Sequence, residues 1–338
     1  MTSLPSFGEA FACMRDRTGV VIPVYFPEGV DRAQGAGLLR DNVGLYCEQV
    51  ADPGRICLTV DGKAHGGDVV ADLAKELGVS SVIGDVNRGK LNGVGNGMRH
   101  LLSNYDLDFL TVVDQDGDHF GNELLNFVRT ALHIGLDRVL VLGNRLSRHM
   151  PMGLLRGELE ELADRVLLDA LSYHAVKCDR PLRLEYANVL DEFPDFHSGY
   201  KLFSRMCAED VFLSEPHIAD CSETCYYRHA CEAVMVVEAL DRGGYLGVVN
   251  RRTLNEQPIS TFGLYNRQEL IADKIIWPCK RMGISPHFVK QWLDNHIPRL
   301  LLGTMAPEGK EELDGIRKLV LDAFEIDDED ERLKPLFV

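Results

Sequence analysis

From Gly19 to Leu142 short apolar runs alternate with amphipathic stretches, which predicts strand and helix in turn. Gly19-Val20-Val21-Ile22-Pro23-Val24-Tyr25 is apolar on both faces, as a strand inside a helix-covered parallel sheet would be, and Phe26-Pro27-Glu28-Gly29 ends it. Leu39, Val43, Tyr46 and Val50 recur at near-helical spacing within 38–50, before the stop at Asp52-Pro53-Gly54. A second buried strand is predicted at Ile56–Val60. Val69, Val70, Leu73, Ala74 and Leu77 then mark one face of a helix over 69–77 with Gly78 as C-cap, and 79–83 reads as a third strand. A glycine-rich passage, 84–97, leads to a helix over 98–102, a strand ending at Val113, a helix from Glu123 to His133 and a strand over 138–142. This alternation predicts an α/β sheet with right-handed crossovers and a ligand at the carboxyl ends of the strands.

Past Gly143 the pattern changes. A long helix is predicted over 152–175, with Leu155, Leu159, Leu162, Val166, Ala170 and Tyr173 apolar and Glu158, Glu160, Glu161 and Asp164 as a solvated face. Ala230, Val234, Val237 and Leu240 form the apolar face of a helix over 224–240, ended by Gly243-Gly244. Residues 266–302 read as two helices broken around Pro278 and Pro286, with Ile275, Trp277, Trp292 and Leu300 apolar; Ile326 to Glu331 reads as an acidic, solvated end.

Composition narrows the class. An apolar fraction of 45% and a charged fraction of 26% over 338 residues fit a soluble globular protein. A formal charge of -16 argues against nucleic acid or an anionic membrane as the main partner. With no signal-peptide-like start and no apolar run near the ~20 residues that span a bilayer, the expected location is cytoplasmic. Nine cysteines, an odd number, fit reduced thiols. Cys221, Cys225 and Cys231, near His217 and His229, lack the paired spacing of zinc ribbons and read as buried small residues on a helix.

The candidate chemistry sits at Asp114-Gln115-Asp116-Gly117-Asp118-His119, where three carboxylates at alternate positions follow an apolar strand. Such carboxylates repel one another least around a divalent cation, and hard Mg²⁺ or Mn²⁺ completes its coordination with substrate phosphates. An acidic turn is the plain alternative. A calcium loop would need Gly and Glu where His119 and Leu125 stand. Asp-x-Asp-Gly also resembles the nucleophile motif of haloacid-dehalogenase-like phosphatases, but their second acidic motif lies downstream, whereas Gly84-Asp85 lies upstream. Four strand ends deliver polar groups to one sheet edge: Tyr25 to Glu28, Asp61, Asn87 to Lys90, and Asp114 to Asp118.

In this order these residues resemble the GT-A fold glycosyltransferases, most closely the inverting family 2. Ile22-Pro23-Val24-Tyr25-Phe26-Pro27-Glu28 is similar to the family's opening Ile-Pro-Val-Tyr-Asn-Glu-Glu strand, and Asp61 to the acid that contacts the donor base, with Gly62 where a second acid is usual. Asn87-Arg88-Gly89-Lys90-Leu91-Asn92-Gly93-Val94-Gly95-Asn96-Gly97 resembles its Asn-x-Gly-Lys passage, and Asp114 and Asp116 its Asp-x-Asp pair. His197-Ser198-Gly199 before Lys201 and Arg205 resembles the small turn bordering the sugar and acceptor pocket, where His197 reads either as a ligand or acid/base group or as a structural histidine. Sugar nucleotidyltransferases of this fold begin with a glycine-rich, Arg-containing loop that Tyr25-Phe26-Pro27-Glu28 is not.

The resemblance implies an α/β GT-A (nucleotide-diphospho-sugar transferase) fold, a Rossmann-like mixed sheet flanked by helices with a C-terminal helical extension. It divides the chain into a transferase domain over 1–264, with a nucleotide-sugar half (18–145) and an acceptor half (146–264), and a helical extension with acidic tail over 265–338. It implies a metal-dependent glycosyltransferase of hexosyltransferase type moving sugar from a UDP- or GDP-linked donor to a hydroxyl acceptor: a small metabolite, a glycan or a lipid-linked molecule. Mg²⁺ or Mn²⁺ would bind Asp114 and Asp116. Catalytic roles fall to Asp116 and to Glu232, the nearest match to the family's base, with Glu223 second. Donor and acceptor contacts fall to Pro23, Tyr25, Glu28, Asp61, Lys90, Asp114, Gln115, Arg145, Ser198 and Gly199. The usual Glu-Asp pair is absent, and 248–255 holds no metal-binding histidine like that of retaining members, so base and stereochemistry stay open. Arg145 and Arg148 at a strand end read as phosphate contacts or as solvated arginines. The C-terminal helices would cap the site or pair with a second subunit. A catalytically inactive nucleotide-sugar-binding protein of the same fold is the alternative, with the phosphatase behind it.

Overall fold

A computed structural model describes residues 5–147, 149, 152–187, 193–253 and 266–327. Seven strands form one sheet: β1 Thr18–Val24, β2 Ile56–Val60, β3 Ser80–Ile83, β4 Phe109–Val112, β5 Val139–Arg145, β6 Lys201–Ser204 and β7 Tyr245–Arg251. Their order is β3-β2-β1-β4-β6-β5-β7. All neighbouring pairs are parallel except those of β6, which runs antiparallel to β4 and β5. The expected mixed sheet flanked by helices is present.

The helices are α1 Phe7–Arg17, α2 Arg32–Cys47, α3 Gly67–Leu77, α4 Lys90–Asn104, α5 Leu124–Ile134, α6 Gly153–Lys177, α7 Arg205–Phe212, α8 Cys231–Asp241, α9 Arg267–Arg281, α10 Pro286–His296, α11 Leu302–Met305 and α12 Gly309–Ala323. Successive strand residues point to opposite faces. Val20, Ile22 and Val24 of β1 therefore pack with Leu39, Val70 and Phe127 from α2, α3 and α5, while Val21 packs with Met98, Leu162 and Val234 from α4, α6 and α8. The second layer also holds Trp277, Leu293 and Val320 of α9, α10 and α12, so the C-terminal helices share its core. No helix among the described residues is long and apolar enough to cross a membrane.

Four local expectations change. The passage read as a glycine-rich lead-in to residue 98 is itself helix, because α4 starts at Lys90. Its glycines are a packing face: a Cβ at Gly97 would stand 2.7 Å from both Val21 and Thr59. Helix α2 starts six residues before the expected 38, where Asp31 caps the amides of Ala33 and Gln34. Pro278 lies inside α9 and breaks nothing; the chain turns after it, where Gly283 takes φ +62° and Pro286 opens α10. Finally, Glu158, Glu160 and Asp164 are buried. Of the four acids expected to be solvated, Glu161 alone is half-buried rather than buried. Of the other expectations, Arg148, Leu254, Asn255 and the acidic end from Asp328 lie outside the described residues.

Candidate active site

The carboxyl ends of β1, β2 and β4 open on a cleft of about 230 Å³. Pro23, Tyr25, Asp61, Lys90, Asp114, Gln115, Asp116, Arg145, Gly199 and Glu232 all line it. Glu28 and Ser198 do not. Glu28 is exposed, and Ser198 is buried beneath the cleft, where its carbonyl accepts the ammonium of Lys201.

At the end of β4 the three carboxylates part ways. Asp118 is held by the fully buried Arg251 of β7, with Nη2 3.0 Å from Oδ2 and 2.9 Å from the carbonyl. Asp114 and Asp116 line the cleft, and Asp118 also borders it. The Asp114 amide donates to Nδ1 of His119 at 2.8 Å, its carbonyl accepts Nδ2 of Asn42 at 2.9 Å, and Gly199 passes so close that a Cβ would collide with its carboxylate. An Nδ1 that accepts a backbone N–H carries no proton there, and burial and then Arg251 hold His119 well below its ordinary value. Asp116 is pushed up to about 7, first by burial and then by Asp114. Between these acids Gln115 ties down β1, donating to the Tyr25 carbonyl at 2.6 Å and accepting the Tyr25 amide at 3.0 Å.

Lys90, the first residue of α4, faces Asp114. Its Nζ is 2.6 Å from Asp114 Oδ1 and 2.9 Å from Glu232 Oε1. Burial opposes its charge, but Asp114 and Glu232 outweigh that and hold it well above the ordinary lysine value. The helix reaches this position because Asp61 accepts the Gly89 amide and, at 2.7 Å, the Asn92 side chain. Arg228 fastens the preceding loop, donating to the carbonyls of Asn87 at 2.7 Å and Arg88 at 3.2 Å. Gly62, where the family has an acid, takes φ +98° with Asn87 against it, so a side chain would be strained and crowded.

Glu232 opens α8. Burial would raise its carboxyl, but Lys90, Lys274 and Lys201 pull it far below the usual range, and Cys231 donates to it at 2.8 Å. That is the reverse of the tuning a general base requires. Glu223 is exposed, paired with Arg88 at 2.5 Å.

The far wall comes from α6 and α9. Arg145 is buried and donates to Asp195 at 2.6 and 2.7 Å and to Glu160 at 2.8 Å; Glu160 also takes Arg156 at 3.0 Å, with Lys274 3.9 Å away. His197 joins the wall, its Nδ1 2.7 Å from Asp164 with both side chains fully buried. Sequence reasoning missed Arg156, Lys274, Arg228, Asp164 and the function of Glu160. The one local signal was that charged and apolar residues are mixed all round α6, with no separate polar face.

Among the described residues no group of three or more His, Cys, Asp or Glu side chains is disposed to hold a metal. Two carboxylates are nevertheless enough for Mg²⁺ when substrate phosphates supply further ligands. The acidic pair fits such an ion: Asp116 is destabilised by its neighbour, and a lysine ammonium already sits on Asp114.

No protein-family model matches the chain, and no curated protein matches it. Among solved structures it is similar to glucosyl-3-phosphoglycerate synthase from Mycobacterium tuberculosis in complex with Mn²⁺, uridine diphosphate and glucosyl-3-phosphoglycerate, at 18% identity over 84% of this chain and 86% of that one, with a TM-score of 0.49. The same synthase with Mg²⁺ and uridine diphosphate gives 18% identity, 83% and 84% coverage and a TM-score of 0.48. A mycobacterial protein gives 19% identity, 84% and 81% coverage and a TM-score of 0.49.

Proposed function

We propose that this chain is a GT-A glycosyltransferase that moves a hexosyl group from a UDP- or GDP-sugar to a hydroxyl acceptor, with Mg²⁺ or Mn²⁺ at Asp114 and Asp116. The carrying observation is the acidic pair at the end of β4 facing the Lys90 ammonium at the start of α4. A bound divalent ion there would neutralise the donor diphosphate and act as a Lewis acid for its departure. The chain's own groups do the rest. Lys90 and the N-terminus of α4 favour the anionic donor. Asp61, by accepting from Gly89 and Asn92, sets the helix at that height. Gln115 fixes the backbone of Tyr25 on the nucleoside side. Glu232 serves as the counter-ion that keeps Lys90 charged and aimed into the cleft.

In this reading residues 18–145 form the donor half, residues 146–264 the acceptor half, and the helical part from 265 contributes Leu270 and Lys274 to the acceptor wall. A thermal-shift screen of UDP- and GDP-sugars with Mn²⁺ and with EDTA tests the reading. A ligand at a hundred times its dissociation constant adds about 2.7 kcal/mol. One donor should raise the melting temperature with Mn²⁺ only; no shift for any donor would contradict the reading.

A further inference from the structure

The two carboxylate oxygens of Asp114 have different surroundings. Oδ2 lies against Gly199, where a Cβ would collide with it, and 4.0 Å from Nε2 of His119. Oδ1 faces the Lys90 ammonium at 2.6 Å. Both side chains reach solvent, 29% exposed for Asp114 and 26% for Lys90, and both residues line the cleft, so this pair lies at the cleft surface. A divalent ion bound through Asp114 and Asp116 competes with the ammonium for Oδ1. If the ammonium stayed, the ion would meet a like charge at close range.

The surroundings of Lys90 let the ammonium move while the helix stays in place. Its root is fixed, because α4 begins at Lys90 and Asp61 accepts the amide of Gly89 just before it. Its end is a compact charge with three donors on a flexible four-carbon stem. A second carboxylate already receives it: Glu232 Oε1 is 2.9 Å from Nζ, and Cys231 donates to the other oxygen of Glu232 at 2.8 Å. Lys274 and Lys201 also supply positive charge to Glu232, so that acid keeps its balance when the ammonium turns toward an anion in the cleft.

We propose that Lys90 is a built-in stand-in for the divalent ion: it holds Asp114 until a nucleoside diphosphate arrives, then passes to the diphosphate as the ion takes Asp114 Oδ1. The proposal rests on the metal-dependent glycosyltransferase reading above. It makes the ion a weak ligand of the chain alone, and it couples ion and nucleotide so that each strengthens the binding of the other by the same factor.

The full chain is titrated with Mn²⁺ alone, with free ion followed by electron paramagnetic resonance, and UDP and GDP are titrated calorimetrically with Mn²⁺ and with EDTA. Lys90→Met should bind Mn²⁺ alone at least about tenfold more tightly than wild type. Lys90→Met combined with Glu232→Gln removes one charge of each sign and leaves no lone Glu232 to disturb folding. It should show the same tightening, which separates release of Oδ1 from a general rise in negative charge. Adding Asp116→Asn to the double variant should cancel the gain. Mn²⁺ affinity unchanged or weakened in both variants would overturn the proposal, as would a gain confined to Lys90→Met or one that survives Asp116→Asn. If wild type then still binds UDP or GDP with Mn²⁺ and not with EDTA, the stand-in alone has failed. A chain that binds neither Mn²⁺ nor nucleotide, alone or together, would bring down the glycosyltransferase reading and the stand-in with it.

Discussion

Two acidic regions face each other across the cleft, and their electrostatics run in opposite directions. At the end of β4 Asp114 and Asp116 crowd together beside Lys90, and Asp116 is pushed up to about 7, by burial first and its acidic neighbour next. On α6 Glu160 is equally removed from water, yet Arg145, Arg156 and Lys274 overcome that burial and hold it well below the ordinary carboxylate value. Burial is common to both. What differs is the supply of cations: Glu160 has three, while Asp114 and Asp116 crowd around one lysine, which pairs with Asp114. A matched cluster is architecture, and an unmatched one beside a cleft is a place for a ligand.

Substitutions can break this contrast from either side. The largest effect is expected at the unmatched pair: Asp114→Asn or Asp116→Asn should lower Mn²⁺-dependent donor turnover on the order of 1000-fold. The metal-free chain should keep its stability in Asp116→Asn, which removes a repelling charge, and lose some in Asp114→Asn, which breaks the pair with Lys90; steady-state rates and denaturant melts without metal read the two quantities. The matched cluster should behave in the reverse way. Glu160→Gln leaves Arg145 and Arg156 short of a partner in a buried place, and should cost about 3–5 kcal/mol in denaturant unfolding.

Glu160 also predicts the shape of acid unfolding. Its folded value lies below its unfolded one, so the folded state binds the proton less readily and stability rises with pH across that interval. The contribution is fully present above the ordinary glutamate value, about 4.5, and is lost as pH falls through the folded value. Unfolding free energy measured from pH 6 downward (about pH 6 to 3) should fall less steeply in Glu160→Gln than in wild type. A smaller effect is expected where the two layers meet at α4. Gly97→Ala puts a methyl 2.7 Å from Val21 and Thr59 and should cost about 1–3 kcal/mol, with donor affinity changed less than stability.

The β4 side was legible in the sequence and the α6 side was not. Asp114 and Asp116 follow directly on the strand that carries them, and Asp61 and Lys90 belong to short motifs beside their own strand ends, so local pattern was enough. Glu160, by contrast, takes its meaning from Arg145 and Lys274, which stand 15 and 114 positions away along the chain, and Asp164 from His197, 33 positions on. Amphipathic periodicity sees a helix and its own face, and reads an acid as solvated unless something distant covers it. The start of α4 was missed for a related reason. Glycines at 89, 93, 95 and 97 signal a loop in isolation, but here Gly97 admits the strands beneath and the side chain of Asp61 holds the Gly89 amide and the Asn92 side chain. Glu232 was found at the start of α8, in the cleft, but its lysine partners come from α4, β6 and α9 and could not be read from its own helix.

The most direct test of the unmatched pair is calorimetric titration of UDP and GDP into the wild-type chain and into Asp116→Asn, each with Mn²⁺ and with EDTA. The account predicts that one nucleotide binds the wild type with Mn²⁺, that EDTA abolishes the binding, and that Asp116→Asn binds weakly in both conditions. Nucleotide binding of equal strength in EDTA, or unchanged in Asp116→Asn, would contradict a metal and diphosphate site at the end of β4.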